Sequence, residues 1–333
     1  MTHRLMLSAG IVAAFFSAPA ASGQSAGAAK KTSAAPRKAW VQPHTPDGQP
    51  DLQGVWTNAT ITPFERPAEL AGKATLTTEE AARLEKQAAE TNVDRAPKEG
   101  DVGSYNRVWF DSGTKVVGTL QTSLVVDPPD GRVPVKPEAE AKRDYNAAHN
   151  GDSPEYMSLW DRCITRGVPG AMFPAGYNNA YQIVQIPGYV VILAEMIHNA
   201  RIIPLDGRPH LPAGIRLWDG DSRGRWEGKT LVVETTNYNG RGQVSTSAAG
   251  GRMKGIQESQ ATRVIERFTR VDADTINYEV TIDDPNIYTR PWKVSTPLTR
   301  DAQYTIYEYA CQEGNYAMVD ILNGARAEES PSK

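Results

Sequence analysis

Apolar and polar positions alternate through most of the chain after residue 177. Successive side chains on a strand point to opposite faces, so residue parity shows which of them lie together. The cleanest case is 275–283, where Ile276, Tyr278, Val280 and Ile282 share one face and Thr275, Asn277, Glu279, Thr281 and Asp283 the other. Strand-like runs also cover 181–186, 189–203, 230–238, 263–271, 292–298 and 303–310, and Arg225-Trp226 precedes a hairpin turn at Glu227-Gly228-Lys229. Many strands joined by short turns predict a mainly β fold, an antiparallel barrel or sandwich, rather than βαβ units.

The N-terminal half is less regular. A short apolar strand is expected at 50–57, and 114–126 is β-branched and apolar up to the turn Asp127-Pro128-Pro129-Asp130-Gly131. Thr77-Thr78-Glu79-Glu80 is a capping-box pattern that opens a helix near 78–90, and Pro137 introduces a second near 138–148. Both are expected at the periphery. The Gly-, Ser- and Gln-rich stretch 240–262 predicts a long mobile loop.

Residues 1–23 read as a signal peptide: His3 and Arg4, an apolar run from Leu5 to Phe16, then small residues to Gly23. That run falls short of the roughly 20 apolar residues needed to span a bilayer. The competing reading is a buried N-terminal helix. Residues 24–49 lack hydrophobic periodicity and read as a tether, leaving one β-rich domain over 50–328. Export places the protein in the periplasm or outside the cell. There Cys163 and Cys311 are expected to form a disulfide, the alternative being a thiol nucleophile paired with His. With 36 Lys and Arg against 39 Asp and Glu, the net charge of −3 gives no support for nucleic acid as a partner, and no later apolar run is long enough for a membrane span.

Three carboxylates break the alternation. Glu195 shares parity with Val191 and Leu193, Glu266 falls between Val264 and Phe268, and Glu308 between Ile306 and Ala310. A carboxylate on an apolar face must be paired, hydrogen-bonded or neutral. Arg201, Arg263 and Arg267 are the partners at hand, unless these faces lie under loops. His198 stands among Glu195, Asn199 and Arg201, groups suited to proton transfer and anion binding, although on an ideal strand it faces away from all three. The turn from Trp218 to Trp226 contains Asp221, and Trp160, Tyr177, Asn178, Asn179, Tyr307 and Tyr309 are suited to lining a pocket for a ring-shaped ligand. No zinc spacing, serine-hydrolase elbow, phosphate loop or dinucleotide fingerprint occurs, so no metal or cofactor is expected.

Ile202-Ile203-Pro204-Leu205-Asp206-Gly207-Arg208-Pro209-His210, Gly220-Asp221-Ser222, Gly224-Arg225-Trp226-Glu227-Gly228-Lys229-Thr230-Leu231-Val232-Val233-Glu234-Thr235, Val264-Ile265-Glu266-Arg267-Phe268 and Thr289-Arg290-Pro291-Trp292 resemble a large family of secreted bacterial proteins over about 50–328. Gly54-Val55-Trp56 resembles the opening strand of lipocalin-like barrels. That likeness implies either binding of a small apolar molecule or, as in a few such barrels, hydratase, cyclase or lyase chemistry. Relatives often carry His-Ser-Glu before the Val-Ile-Glu-Arg-Phe strand; here Gln257-Glu258-Ser259 stands there.

The expected function is that of an exported, cofactor-independent hydrolase or lyase acting on a small aromatic or plant-derived ether, ester or glycoside. His198 serves as acid or base with Glu195 or Asp221 as its carboxylate. Arg201 stabilises negative charge, and Tyr177, Asn179, Trp218, Asn237 and Glu266 hold the substrate. The alternative is a periplasmic barrel that binds a hydrophobic or aromatic ligand unchanged.

Overall fold

Strands form largely where the alternation places them. The computed structural model describes residues 40–91, 110–244 and 255–329. The expected signal peptide, most of the tether and the middle of the 240–262 loop lie outside these. Twelve strands are described: β1 Gly54–Thr57, β2 Val125–Asp127, β3 Ala180–Ile186, β4 Tyr189–Ala194, β5 Ala200–Pro204, β6 Asp221–Glu227, β7 Thr230–Thr236, β8 Gln243–Val244, β9 Ile256–Gln257, β10 Arg263–Arg270, β11 Thr275–Asp283 and β12 Trp292–Arg300. The helices are α1 Thr78–Thr91, α2 Pro137–Ala148 and α3 Ala317–Glu329. None of them is long and apolar enough to cross a membrane.

One antiparallel sheet runs in the order β5-β4-β3-β1-β12-β11-β10-β7-β6, with β2 also on β12, and curls into a nearly closed barrel. Its ends, β5 and β6, lie side by side. Gly224 allows that approach: a Cβ there would sit 2.6 Å from Leu205 Cδ2 and 2.9 Å from Ile203 Cγ2. The β3–β4 turn uses Pro187 to preset φ and Gly188 at φ 80°, the type II requirement. In β11 the side chains of Ile276, Tyr278, Val280 and Ile282 are buried in alternation, as their parity predicts. They meet Trp56, Phe268, Trp292 and Leu298, all without solvent exposure. Burying one such large apolar side chain contributes roughly 1.5–3 kcal/mol.

The capping box of α1 closes as its sequence predicts: Thr77 N–H donates to Glu80 Oε2 at 2.8 Å, and Glu80 N–H to Thr77 Oγ1 at 3.2 Å.

Several elements depart from expectation. The 189–203 run is two strands, β4 and β5, because the chain turns back at Met196–His198. The 114–126 stretch is mostly irregular: Val116 and Val117 N–H donate to Glu85 Oε1 and Thr62 Oγ1 rather than to a ladder. Residues 303–310 form no strand and leave Glu308 exposed, because β12 is already flanked by β11 on one side and by β1 and β2 on the other. The packed unit begins at Trp40. Gln42 and Thr45 are buried there, and Thr45 N–H donates to Gln49 O at 2.8 Å. The flanks of the expected loop pair as β8 and β9.

Candidate functional site

Polar side chains gather in three places around this barrel. The first is its interior. Glu266 projects inward from β10 between Val264 and Phe268 and has no solvent exposure. Because the sheet closes, Arg201 on β5 reaches it across the lumen, with Nη1 2.8 Å from Oε2. Tyr278 on β11 donates to Oε1 at 2.9 Å. Burial opposes the Arg201 charge, but Glu266 outweighs it and holds the guanidinium above its ordinary pKa. Arg201 Nε and Nη2 are buried without hydrogen-bond partners among the described residues. Beside them a void of about 20 Å³ touches Asn199, Ile192 and Met172, room for roughly one water. Burial, more than the nearby carboxylates, also pushes the hydroxyls of Tyr238 and Tyr278 well up.

Glu258 lies near this group. It is buried, both carboxyl oxygens lack hydrogen-bond partners among the described residues, and Oε2 packs so close to Gly242 that any side chain there would collide with it. Burial, reinforced by Asp219 and Asp284, raises its pKa well above the carboxylate range. A carboxyl whose folded-state pKa exceeds its unfolded one holds its proton more tightly when folded. It therefore stabilises the fold fully below the ordinary carboxylate range and loses that contribution as pH rises toward the folded value. The stability of the natural protein relative to Glu258→Gln should fall by up to about 1.4 kcal/mol per pH unit on that climb. Chemical denaturation of both at about pH 5 and about pH 8 checks this; parallel curves would show that Glu258 ionises freely.

The second place is a cleft of about 330 Å³ beside the β4–β5 turn, lined by Ile164, Ile197, His198, Tyr309 and the two half-cystines. The disulfide Cys163–Cys311 is formed, with its Cα atoms 5.6 Å apart. Ile197 (φ 62°, ψ 12°) and His198 (φ 56°) are both left-handed, costly for non-glycine residues and most of all for β-branched Ile. This turn replaces the ideal strand and leaves His198 exposed in the cleft. His198 Nδ1 lies 3.2 Å from Tyr309 O. A carbonyl only accepts, so Nδ1 is the donor in this bond.

Aromatic rings adjoin the cleft. Tyr309 stacks on Tyr177 (centroids 6.3 Å apart, planes at 20°), and Tyr177 tilts against Trp160 at 5.7 Å. The Arg166 guanidinium lies 5.1 Å from the Trp160 ring centre. Glu195 is buried nearby, but the turn buries it rather than strand parity. Its Oε1 accepts from Asn178 Nδ2 at 2.7 Å and from Tyr304 OH at 2.9 Å, not from His198. Burial and that bond to Glu195 hold the Tyr304 hydroxyl protonated far above its ordinary range. Asn179 is fully buried and clamps Ala175 and Asp111 backbone, a scaffold position.

The third place is the loop before β6. Asp221 accepts from Leu211 N–H at 3.1 Å, contacts His210 Nδ1 at 2.8 Å and pairs with Arg223 Nη1 at 2.6 Å. Asn237 Nδ2 donates to the carbonyls of Leu211, Pro212 and Ile215. Asp221 and Asn237 thus strap this loop to β6 and β7, and Trp218 is half-buried at its end.

The expected residues therefore divide. Tyr177, His198 and Glu195 lie around the cleft with Asn179 as scaffold, Arg201 and Glu266 meet inside the barrel, and Asp221, Asn237 and Trp218 belong to the third group. Sequence reading missed the His210–Asp221 contact, although Asp206-Gly207-Arg208-Pro209-His210 and Gly220-Asp221-Ser222 mark its two halves. It also missed Arg166 and the burial of Glu258. Comparison with protein-family models, curated proteins and solved structures finds no match to this chain.

Proposed function

We propose that this chain is an exported, cofactor-independent hydrolase or lyase, a member of the secreted bacterial family its motifs resemble, with His198 as its general acid and base. The observation that carries the reading is the His198–Tyr309 bond in the cleft. A backbone carbonyl holds the ring through Nδ1, and in this reading Nε2 takes or returns the proton. Neither Glu195 nor Asp221 serves as its carboxylate partner in this reading; the Tyr309 carbonyl does that work. The left-handed pair Ile197-His198 adds weight, because such strain persists where the surrounding structure enforces it and often marks a working site. Tyr309, Tyr177 and Trp160 supply stacking surface for a small aromatic ether, ester or glycoside. The alternative of a hydrophobic ligand inside the barrel is disfavoured by an interior filled with Trp56, Phe268, Tyr278 and Trp292.

His198→Ala should lower turnover of aryl esters or phenolic glycosides by about 10²–10⁴-fold. Its melting temperature should stay near that of the natural protein, because the side chain is exposed. A panel of p-nitrophenyl esters and phenolic glycosides, followed by mass spectrometry, makes the measurement. Unchanged turnover in a folded His198→Ala variant would remove His198 from the chemistry.

A further inference from the structure

Arg166 poses a charge problem that the proposed acid–base chemistry leaves unsolved. It is 5% exposed, and its guanidinium makes one long hydrogen bond, from Nη2 to Phe173 O at 3.5 Å. Among the described residues no carboxylate lies within ion-pair distance of it. The buried acids Glu266 and Glu195 are committed elsewhere, Glu266 to Arg201 and Tyr278, Glu195 to Asn178 and Tyr304.

A buried cation without a counter-ion is costly, and an apolar side chain of similar size would fill the same space without that cost. Burial presses its pKa below the ordinary guanidinium value, against the pull of Tyr181, Tyr177 and Tyr309. Trp160 lies against it, Tyr177 against Trp160 and Tyr309 against Tyr177, so a run of rings leads from the guanidinium to the cleft. Tyr309 in turn lines the His198 cleft. The planar guanidinium fork matches a carboxylate bidentately, and the aromatic wall beside it matches a ring.

We propose that Arg166 is the anchor for a substrate carboxylate, so that the cleft takes derivatives of aromatic carboxylic acids, the ring against Tyr177 and Tyr309 and the charge on Arg166. This rests on the reading of the His198 cleft as the ligand site. It deepens that reading by assigning the ligand a negative charge.

Calorimetric titration of the whole, oxidised protein with 4-hydroxybenzoate and with its neutral amide tests the assignment. The natural protein should bind the carboxylate at least about tenfold more tightly than the amide. Arg166→Met should bind the two equally, and without ligand it should melt no lower than the natural protein, since no charge is then buried. Arg166→Lys, which keeps the charge but not the fork, should keep part of the preference and decides the matter if Arg166→Met does not fold. Equal affinity for acid and amide in the natural protein, no binding of either at millimolar concentration, or a full preference surviving in a folded Arg166→Met would each overturn it. His198→Ala should keep the preference for the carboxylate over the amide, because Arg166 is untouched. Its turnover therefore tests the catalytic reading separately from this one.

Discussion

Arg201→Met should lower the folding free energy by about 3–5 kcal/mol at neutral pH, the cost of leaving a buried charge without its partner. Glu266 has no solvent exposure, and its remaining polar contact is the Tyr278 hydroxyl. One neutral donor does not replace a cation 2.8 Å away in an interior of low dielectric. The double variant Arg201→Met, Glu266→Leu should recover most of the loss, because two apolar side chains fill the space with no charge to desolvate. Urea titrations of the natural protein, both single variants and the double give the coupling directly. A cost below about 1 kcal/mol for the singles would mean that water reaches Glu266 and screens it.

Reducing Cys163–Cys311, or replacing both residues by Ser, should release the C-terminal segment before the sheet is affected. The bridge spans 148 residues, for which loop-closure entropy gives about 5 kcal/mol as an upper figure. Few other contacts among the described residues secure the segment after β12. Tyr304 donates to Glu195, His198 holds the Tyr309 carbonyl, and Asn315 Nδ2 donates to Asp161 O at 3.0 Å. Helix α3 has no buried residues and approaches the rest of the protein where Gly151 meets Ala325. The barrel, by contrast, is held by paired strands on both sides of β12. Hydrogen exchange should show protection lost over 304–329 and kept over 275–300, and the cleft should lose its activity because both half-cystines line it. Unchanged exchange in the reduced protein would show that the segment docks without its covalent tie.

Much of the fold was legible locally. The capping box of α1, the Pro187-Gly188 and Gly228 turns and the alternation of β11 depend on neighbours in sequence, and these appear as expected. Glu266 was legible for a different reason. A carboxylate between Val264 and Phe268 cannot be buried unpaired, so it demanded a cation, and Arg201 was one of three at hand. The same argument misled at Glu308, where the strand it assumed does not form. It reached a buried residue at Glu195 by the wrong geometry, since the Met196–His198 turn rather than a continuous strand puts that side chain inside.

The candidate site was legible residue by residue but not as an arrangement. His198 drew attention through its neighbours, yet the group that orients it, the Tyr309 carbonyl, is 111 residues away. No side-chain pattern marks a backbone carbonyl. His210 and Asp221 sat in two conspicuous motifs, and their contact depends on a loop folding back onto β6. Arg166 carries no signal at all in sequence, because an arginine outside strands and helices is ordinarily exposed.

The sequence by itself determined the β-rich class, most of the strands, the inward face of β11 and the need for a charged partner at Glu266. Each follows from side-chain period, turn chemistry or the cost of burying charge, which act over a few residues. Tertiary packing decided the rest. When β5 comes to lie beside β6, Arg201 meets Glu266; with β12 flanked on both sides, the 303–310 segment finds no strand to pair with; and Arg166 and Glu258 are carried out of water against Trp160 and Gly242. These are long-range packing outcomes, set by which surfaces remain uncovered once the barrel has formed.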